Sequence, residues 1–213
     1  EKCFVFSDDG SKDKSIQLLA HHFTSMNYVI LGDDINRGPG YAFNIGFEWI
    51  VQHSKSSNDS IVTLEADCTS DLSILPTLLS IHRLGFNLVL ASVYSQGGGF
   101  SKTNFFRKLI SFIANTLFRF AFDLKVLTLS SFYRIYSVSL IKEIKDKNAI
   151  IIRETGFICM LEILLKSIKC HAKIIEVPVI LKSNNRKGSS KMQIVRTACH
   201  YLLFFVNRGQ IRN

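Results

Sequence analysis

No run in this sequence approaches the roughly 18 to 20 uncharged apolar residues that span a bilayer, although apolar residues fill 47% of its 213 positions and mean hydropathy is +0.18. A transmembrane helix is therefore not expected, nor is a signal peptide. Cysteine is present without a pattern. Cys3, Cys68, Cys159, Cys170 and Cys199 are odd in number and form no CxxC pair, which argues against both a disulfide framework and a zinc site. They read as reduced, mostly buried small hydrophobes. The histidines (His21, His22, His53, His82, His171 and His200) show no metal-ligand spacing. Acidic residues stop at Glu176. The segment after it carries Lys182, Arg186, Lys187, Lys191, Arg196, Arg208 and Arg212, which supply +7 of the net +9. A basic, acid-free tail suits anionic lipid, phosphorylated substrates or nucleic acid on electrostatics alone. The nucleic-acid reading is disfavoured, because no array of base-stacking aromatics accompanies the charge.

What is present is a regular alternation. Residues 3–6 read as a buried strand running into the polar turn Asp8-Asp9-Gly10-Ser11, and Ile16, Leu19, Ala20 and Phe23 then repeat at helical spacing. A second strand is expected over 28–31, a glycine-rich loop over 32–40, and a helix carrying Ala42, Ile45, Gly46, Trp49 and Ile50. A third strand over 61–64 ends at Glu65-Ala66-Asp67. Asp71 is placed to cap a helix that stops near Gly85, and a further strand covers 88–92. Such alternation predicts βαβ units and a largely parallel sheet, one α/β domain with helices on both faces. Beyond it the pattern predicts an amphipathic helix over 105–122, an edge segment over 131–136, a helix over 157–169, a strand over 174–181 and a terminal helix over 191–206. Ligands of open α/β sheets bind beyond the carboxyl ends of the strands, so Asp8-Asp9 and Glu65-Ala66-Asp67 are expected to share one crevice.

Asp-Gly pairs are ordinary turn formers, and two carboxylates one residue apart equally describe a solvated turn or hard oxygen ligands for Mg²⁺ or Mn²⁺. In order, however, the blocks Asp8-Asp9-Gly10-Ser11, Asn36 to Ala42 with Asn44 and Gly46, Glu65-Ala66-Asp67, Ala91-Ser92-Val93-Tyr94 with Gly97-Gly98-Gly99, and Ser130 to Tyr136 resemble the family-2 glycosyltransferases. Within them the likeness is to the polyprenyl-phosphate sugar transferases. Gly156-Phe157 with Glu162, Glu176-Val177-Pro178 and Gly188-Ser189-Ser190-Lys191 extend it along essentially the whole chain.

The resemblance implies a nucleotide-diphospho-sugar transferase (GT-A, Rossmann-like) fold and an inverting, metal-assisted reaction on a nucleotide-diphospho-sugar donor, with a lipid phosphate as the best-supported acceptor. It places Asp8, Asp9, Gly38, Gly40, Glu65 and Ala66 on the donor nucleotide, and Glu65 and Asp67 on Mg²⁺ or Mn²⁺. Arg107, Arg134, Arg186, Ser190 and Lys191 fall on substrate phosphate, and Asp67, Arg134 and Glu162 form the catalytic set. Glu162 and Glu154 are the candidate bases for a hydroxyl acceptor, whereas a phosphate acceptor needs none. Departures from the family pattern are Glu65 for the first Asp of its DxD, Pro39 for Lys, Val93 for Arg, Phe132 for Gly and Thr128 for Asp. The family's opening strand with its P-x-Y-N-E segment is not in this chain. Two rivals remain: a transferase to sugar hydroxyls, and a catalytically weak binding protein that keeps the fold. The expected organisation is a catalytic domain over 1–190 and a basic amphipathic helix over 191–213. That helix would dock peripherally on the cytoplasmic face of a membrane.

Overall fold

The first strand, β1 (Phe4–Ser7), expected to be buried, is only half-buried with Phe4 exposed; it pairs in parallel with β2 (Tyr28–Leu31), and α1 (Ser15–His22) crosses between them. The computed structural model describes residues 2–101 and 105–186. Phe23, just past α1, packs its ring edge-on against Phe4 and Phe6 at 5.1 and 4.7 Å, which pins the crossover helix to β1. Next comes α2 (Pro39–His53). Proline at its first turn costs no hydrogen bond there and fixes φ for the helix.

The main sheet begins with β3 (Ser60–Thr63). Asp71 accepts a hydrogen bond from the Ser73 amide and so caps a short 3-10 turn, Leu72–Ile74, that runs into α3 (Leu75–Arg83). Gly85, at φ +100°, ends that helix as expected. β4 (Leu88–Ser92), β5 (Gly99–Ser101), α4 (Phe105–Ala121), β6 (Arg134–Ser137), α5 (Val138–Asn148), α6 (Cys159–Lys169), β7 (Ile174–Pro178) and β8 (Ile180–Lys182) follow. The four-stranded sheet runs β3-β6-β4-β7, while β1-β2 and β5-β8 form separate parallel pairs. β4 and β7 are parallel, and β6 runs antiparallel to both of its neighbours.

Successive residues of β4 point to opposite faces, and both faces are dry. Leu88 and Leu90 join the core made with α2, α5 and α6, whereas Val89 and Ala91 join the core beneath α3. β6 divides likewise, Tyr136 to the first core and Ile135 to the second. Helices therefore cover both faces of a mixed, largely parallel sheet.

Of the cysteines expected to be mostly buried, Cys3 and Cys68 are exposed and Cys159 and Cys170 are buried. Three further expectations, about elements, change. The segment expected at an edge forms the central strand β6, because its four residues are all buried between β3 and β4. The strand expected over 174–181 breaks at Val179, so that β7 serves the main sheet and β8 serves β5. α5 was not foreseen: it starts where the Ser137 hydroxyl accepts from the Leu140 amide and buries Val138, Leu140, Ile141 and Ile144. The boundary at 190/191 and the terminal helix lie outside the described residues.

Candidate active site

The turn after β1 is built by its own acids. Asp8 takes the Ser11 amide on its carboxylate at 2.9 Å, and Gly10 sits at φ +72° against the backbone of Asn36, where a Cβ would come within 2.6 Å of the amide nitrogen. The Asp9 carboxylate accepts the amides of Arg37 at 2.7 Å and Gly38 at 2.9 Å, and its carbonyl accepts the Asn36 side chain. Asp9 thus anchors the start of α2 to the end of β1 and places negative charge where the helix dipole is positive.

Gly38 and Gly40, expected on the nucleotide, are packed tightly against backbone. A Cβ at Gly38 would stand 2.4 Å from the Thr155 carbonyl oxygen, and one at Gly40 only 1.8 Å from that of Glu154. The Gly40 amide donates to Thr155 at 2.8 Å, and the Asn44 side chain accepts the Ile152 amide at 2.9 Å. Helix α2 and the segment entering α6 are therefore joined backbone to backbone.

Beyond β3, Glu65 and Asp67 come together with Arg186. Asp67 accepts the amide and hydroxyl of Thr69 on one oxygen, at 3.0 and 2.7 Å, and the Arg186 guanidinium on the other, with Arg186 Nε at 2.9 Å. Burial alone would raise the Asp67 carboxyl, but these hydrogen bonds outweigh burial and hold it below the usual range. Glu65 goes the other way. Burial first, and the neighbouring Asp67 charge second, push its carboxyl up to about 7 against the opposing pull of Arg186. Ala66 between them is exposed.

Arg186 arrives from the far end of β8. Lys182 closes that strand by donating its amide to the Thr69 carbonyl at 2.9 Å and its ammonium to Asp71 at 2.9 Å. The Lys182 hydrogen bond, helped by Ser73, lowers the Asp71 carboxyl to about 2. A cavity of about 390 Å³ opens here, with Asp71, Ser101, Lys182, Asn184 and Asn185 on its walls. The Asp71–Lys182 pair and the two asparagines were not singled out from sequence, since a capping Asp and a polar turn carry no signal of their proximity to Asp67.

Two expected catalytic residues are placed otherwise. Arg134, 0% exposed, is the first residue of the central strand. Its guanidinium donates to the carbonyls of Ser131, Leu129 and Met160 at 2.7, 2.7 and 2.9 Å and to the Tyr136 hydroxyl at 3.2 Å, which leaves it occupied inside the core and away from solvent-borne phosphate. Glu162 is 5% exposed. Its carboxylate accepts the amides of Arg153 and Glu154 at about 3 Å and pairs with Lys166 at 2.7 Å, whose ammonium also donates to the carbonyls of Ile150 and Ile151. It clamps the segment that faces Gly38 and Gly40. Arg107 falls on α4 but its side chain, like Ser190 and Lys191 entirely, lies outside the described residues.

A sheet covered by helices on both faces, with a carboxylate-bearing turn at the end of β3, has the GT-A nucleotide-sugar transferase fold. The chain belongs to glycosyl transferase family 2, whose pattern matches residues 2–145. It is 26% identical over 193 residues to a dolichol-phosphate mannosyltransferase of Pyrococcus furiosus, covering 89% of this chain and 50% of that protein. It is 26% identical over 155 residues to a polyprenol monophosphomannose synthase of Mycolicibacterium smegmatis, covering 73% and 56%. The chain thus spans about half the length of these curated relatives. Among solved structures it is similar to glucosyl-3-phosphoglycerate synthase of Mycobacterium tuberculosis in complex with Mn²⁺, uridine diphosphate and glucosyl-3-phosphoglycerate. The TM-score there is 0.62 at 15% identity, over 94% of this chain and 67% of that one.

Proposed function

We propose that this chain carries the donor site of an inverting glycosyltransferase that moves a sugar from a nucleoside-diphosphate donor to a polyprenyl phosphate. The observation that carries the reading is the Glu65–Asp67–Arg186 cluster at the end of β3. Burial, with the neighbouring Asp67 charge second, keeps Glu65 from ionising readily, while Asp67 is ionised and paired with Arg186. Such a pair fits Mg²⁺ or Mn²⁺, which take hard oxygen ligands from one or two carboxylates and complete their shell with substrate phosphate and water. Among the described residues no larger cluster of His, Cys, Asp or Glu competes for that role. Glu65 and Asp67 would hold the cation, and the chemistry it supplies is neutralisation of charge on the departing diphosphate.

Arg186, released from Asp67, turns its planar guanidinium toward the donor phosphates, for which its fork of N–H groups is suited. Asp8 follows β1 beside the Asp9 that secures the turn to α2, and of the two it is the better candidate for the nucleoside. The engaged state of Glu162 favours the phosphate acceptor: a phosphate oxygen is already anionic, whereas a sugar hydroxyl needs a base. The names of the two curated relatives support the same acceptor class. A lipid acceptor implies peripheral contact with a membrane on its cytoplasmic face, and no described helix is long and apolar enough to cross one.

Thermal melting tests the donor site. Uridine or guanosine diphosphate with Mn²⁺ is expected to raise Tm more than the same nucleotide with EDTA, because a ligand that binds only the folded state stabilises it by mass action. Asp67→Ala is expected to erase that difference. A metal-dependent shift that persists in the variant would remove Asp67 from this role.

A further inference from the structure

Helix α4 is amphipathic the wrong way round for a helix that only packs on its own domain. Its inward side is partly polar: Tyr94 shares a hydrogen bond with Ser111 at 2.8 Å, Lys108 donates to the Phe100 carbonyl at 3.4 Å, and Asn115 accepts the Leu129 amide at 3.1 Å while donating to Leu127. Of its apolar residues, Phe118 packs against the core, as does Phe122 just beyond the helix. The outer side presents Leu109, Ile113, Leu117 and Phe120, with Phe112 at its margin, where its ring also meets that of Tyr94 at 6.3 Å; here exposure decides the issue: Phe112 is 55%, Leu117 62% and Phe120 91% exposed. These positions recur at steps of three and four, so they form one continuous stripe along a helix of about 25 Å.

Monomeric proteins rarely leave such a stripe in water. Its charge says what covers it. From Lys102 to Phe122 the chain has Lys102, Arg107, Lys108 and Arg119 and no acidic residue, and Asp123 and Lys125 follow as one charge of each sign. A second copy docked on this face would bring two acid-free, cationic helices together, whereas an anionic bilayer surface complements both the charge and the greasy stripe.

We propose that α4 lies in the headgroup–acyl boundary of an anionic membrane, with Leu109, Phe112, Ile113, Leu117 and Phe120 in the acyl region. α4 follows β5, and the partner of β5 is β8, the strand that brings Lys182 to Asp71 and leads on to Arg186 at Asp67. Docking α4 therefore fixes the phosphate-binding end of the fold relative to the lipid surface. The inference rests on the lipid-phosphate reading for its purpose only; the surface itself is argued from exposure and charge.

The test is co-sedimentation of the full chain with vesicles of phosphatidylcholine alone or of equimolar phosphatidylcholine and phosphatidylglycerol. Binding is expected to the anionic vesicles at low salt, weakened by high salt and absent on the neutral ones. The triple variant Ile113→Ser, Leu117→Ser, Phe120→Ser is expected to lose about tenfold or more of that binding, with Tm and the Mn²⁺–nucleotide shift unchanged. The proposal is overturned if the folded chain stays in the supernatant with anionic vesicles at low salt, or if the triple variant binds as the parent does. A large fall in Tm in the variant also overturns it, because the stripe is then covered by the chain itself. So does a dimer of the parent chain that the variant abolishes. Loss of the Mn²⁺–nucleotide shift in the parent chain, with vesicle binding intact, sinks the donor-site reading and leaves the docking surface standing.

Discussion

Glu65 and Asp67 are one residue apart, yet their environments separate their chemistry. Glu65, pushed up to about 7 from an ordinary 4.5, costs nothing while both folded and unfolded chains hold the proton. As pH rises above 4.5 the unfolded chain gives up its proton first, so stability falls until about pH 7 and then levels. The penalty is at most about 3 kcal/mol. Glu65→Gln, which keeps the shape and removes the charge, is therefore expected to raise Tm of the metal-free protein at pH 8 and to leave it nearly unchanged at pH 4. A gain of equal size at both values would show that burial of the charge is not the cause. Asp67 has the opposite sign. Its lowered carboxyl contributes stability at neutral pH that is lost only in acid.

Arg134 is a second case where surroundings override residue type. Three backbone carbonyls depend on its guanidinium, and each buried carbonyl left without a donor costs about 1–3 kcal/mol. Arg134→Ala is expected to lower stability by about 3 kcal/mol or more, and Arg134→Lys not to rescue it, since a single ammonium cannot reproduce the planar fork. Urea denaturation reads this directly. A stable Arg134→Ala protein with only a raised KM for the acceptor would return Arg134 to the phosphate role.

At the scale of elements, the glycine-rich entry to α2 does what a ligand loop was expected to do, but toward the protein. Gly40 meets the Glu154 carbonyl so closely that no side chain fits. Glycine inside a helix ordinarily costs about 1 kcal/mol relative to alanine. Here Gly40→Ala is expected to reverse that sign and destabilise by about 2 kcal/mol or more, as overpacking does, because α2 and the clamp held by Glu162 must move apart. A denaturation midpoint at or above that of the parent chain would refute the close contact. The position of α5 was not legible for a related reason. Its first turn is set by Ser137, the last residue of a central strand, and its apolar positions Val138, Ile141 and Ile144 recur at a plain three-residue step within a lysine-rich stretch.

Across the whole molecule, the alternation of apolar strands, polar turns and amphipathic helices determined the class of fold, because a strand apolar at every position must be covered on both faces and parallel strands need crossover helices. It also determined that the acidic turns after β1 and β3 stand at strand ends, and the order of the blocks was enough to place the chain in its family. What only the tertiary structure decided are the partners. Sequence cannot show that residues 119 apart meet, as Asp67 and Arg186 do, nor that the most phosphate-like arginine, Arg134, begins a strand flanked on both sides. An amphipathic pattern likewise reveals that α4 has two faces without saying which one turns inward. That choice is made by the tyrosine, carbonyl and amide groups waiting on the body of the domain, which take Ser111, Lys108 and Asn115 and leave the apolar stripe outside.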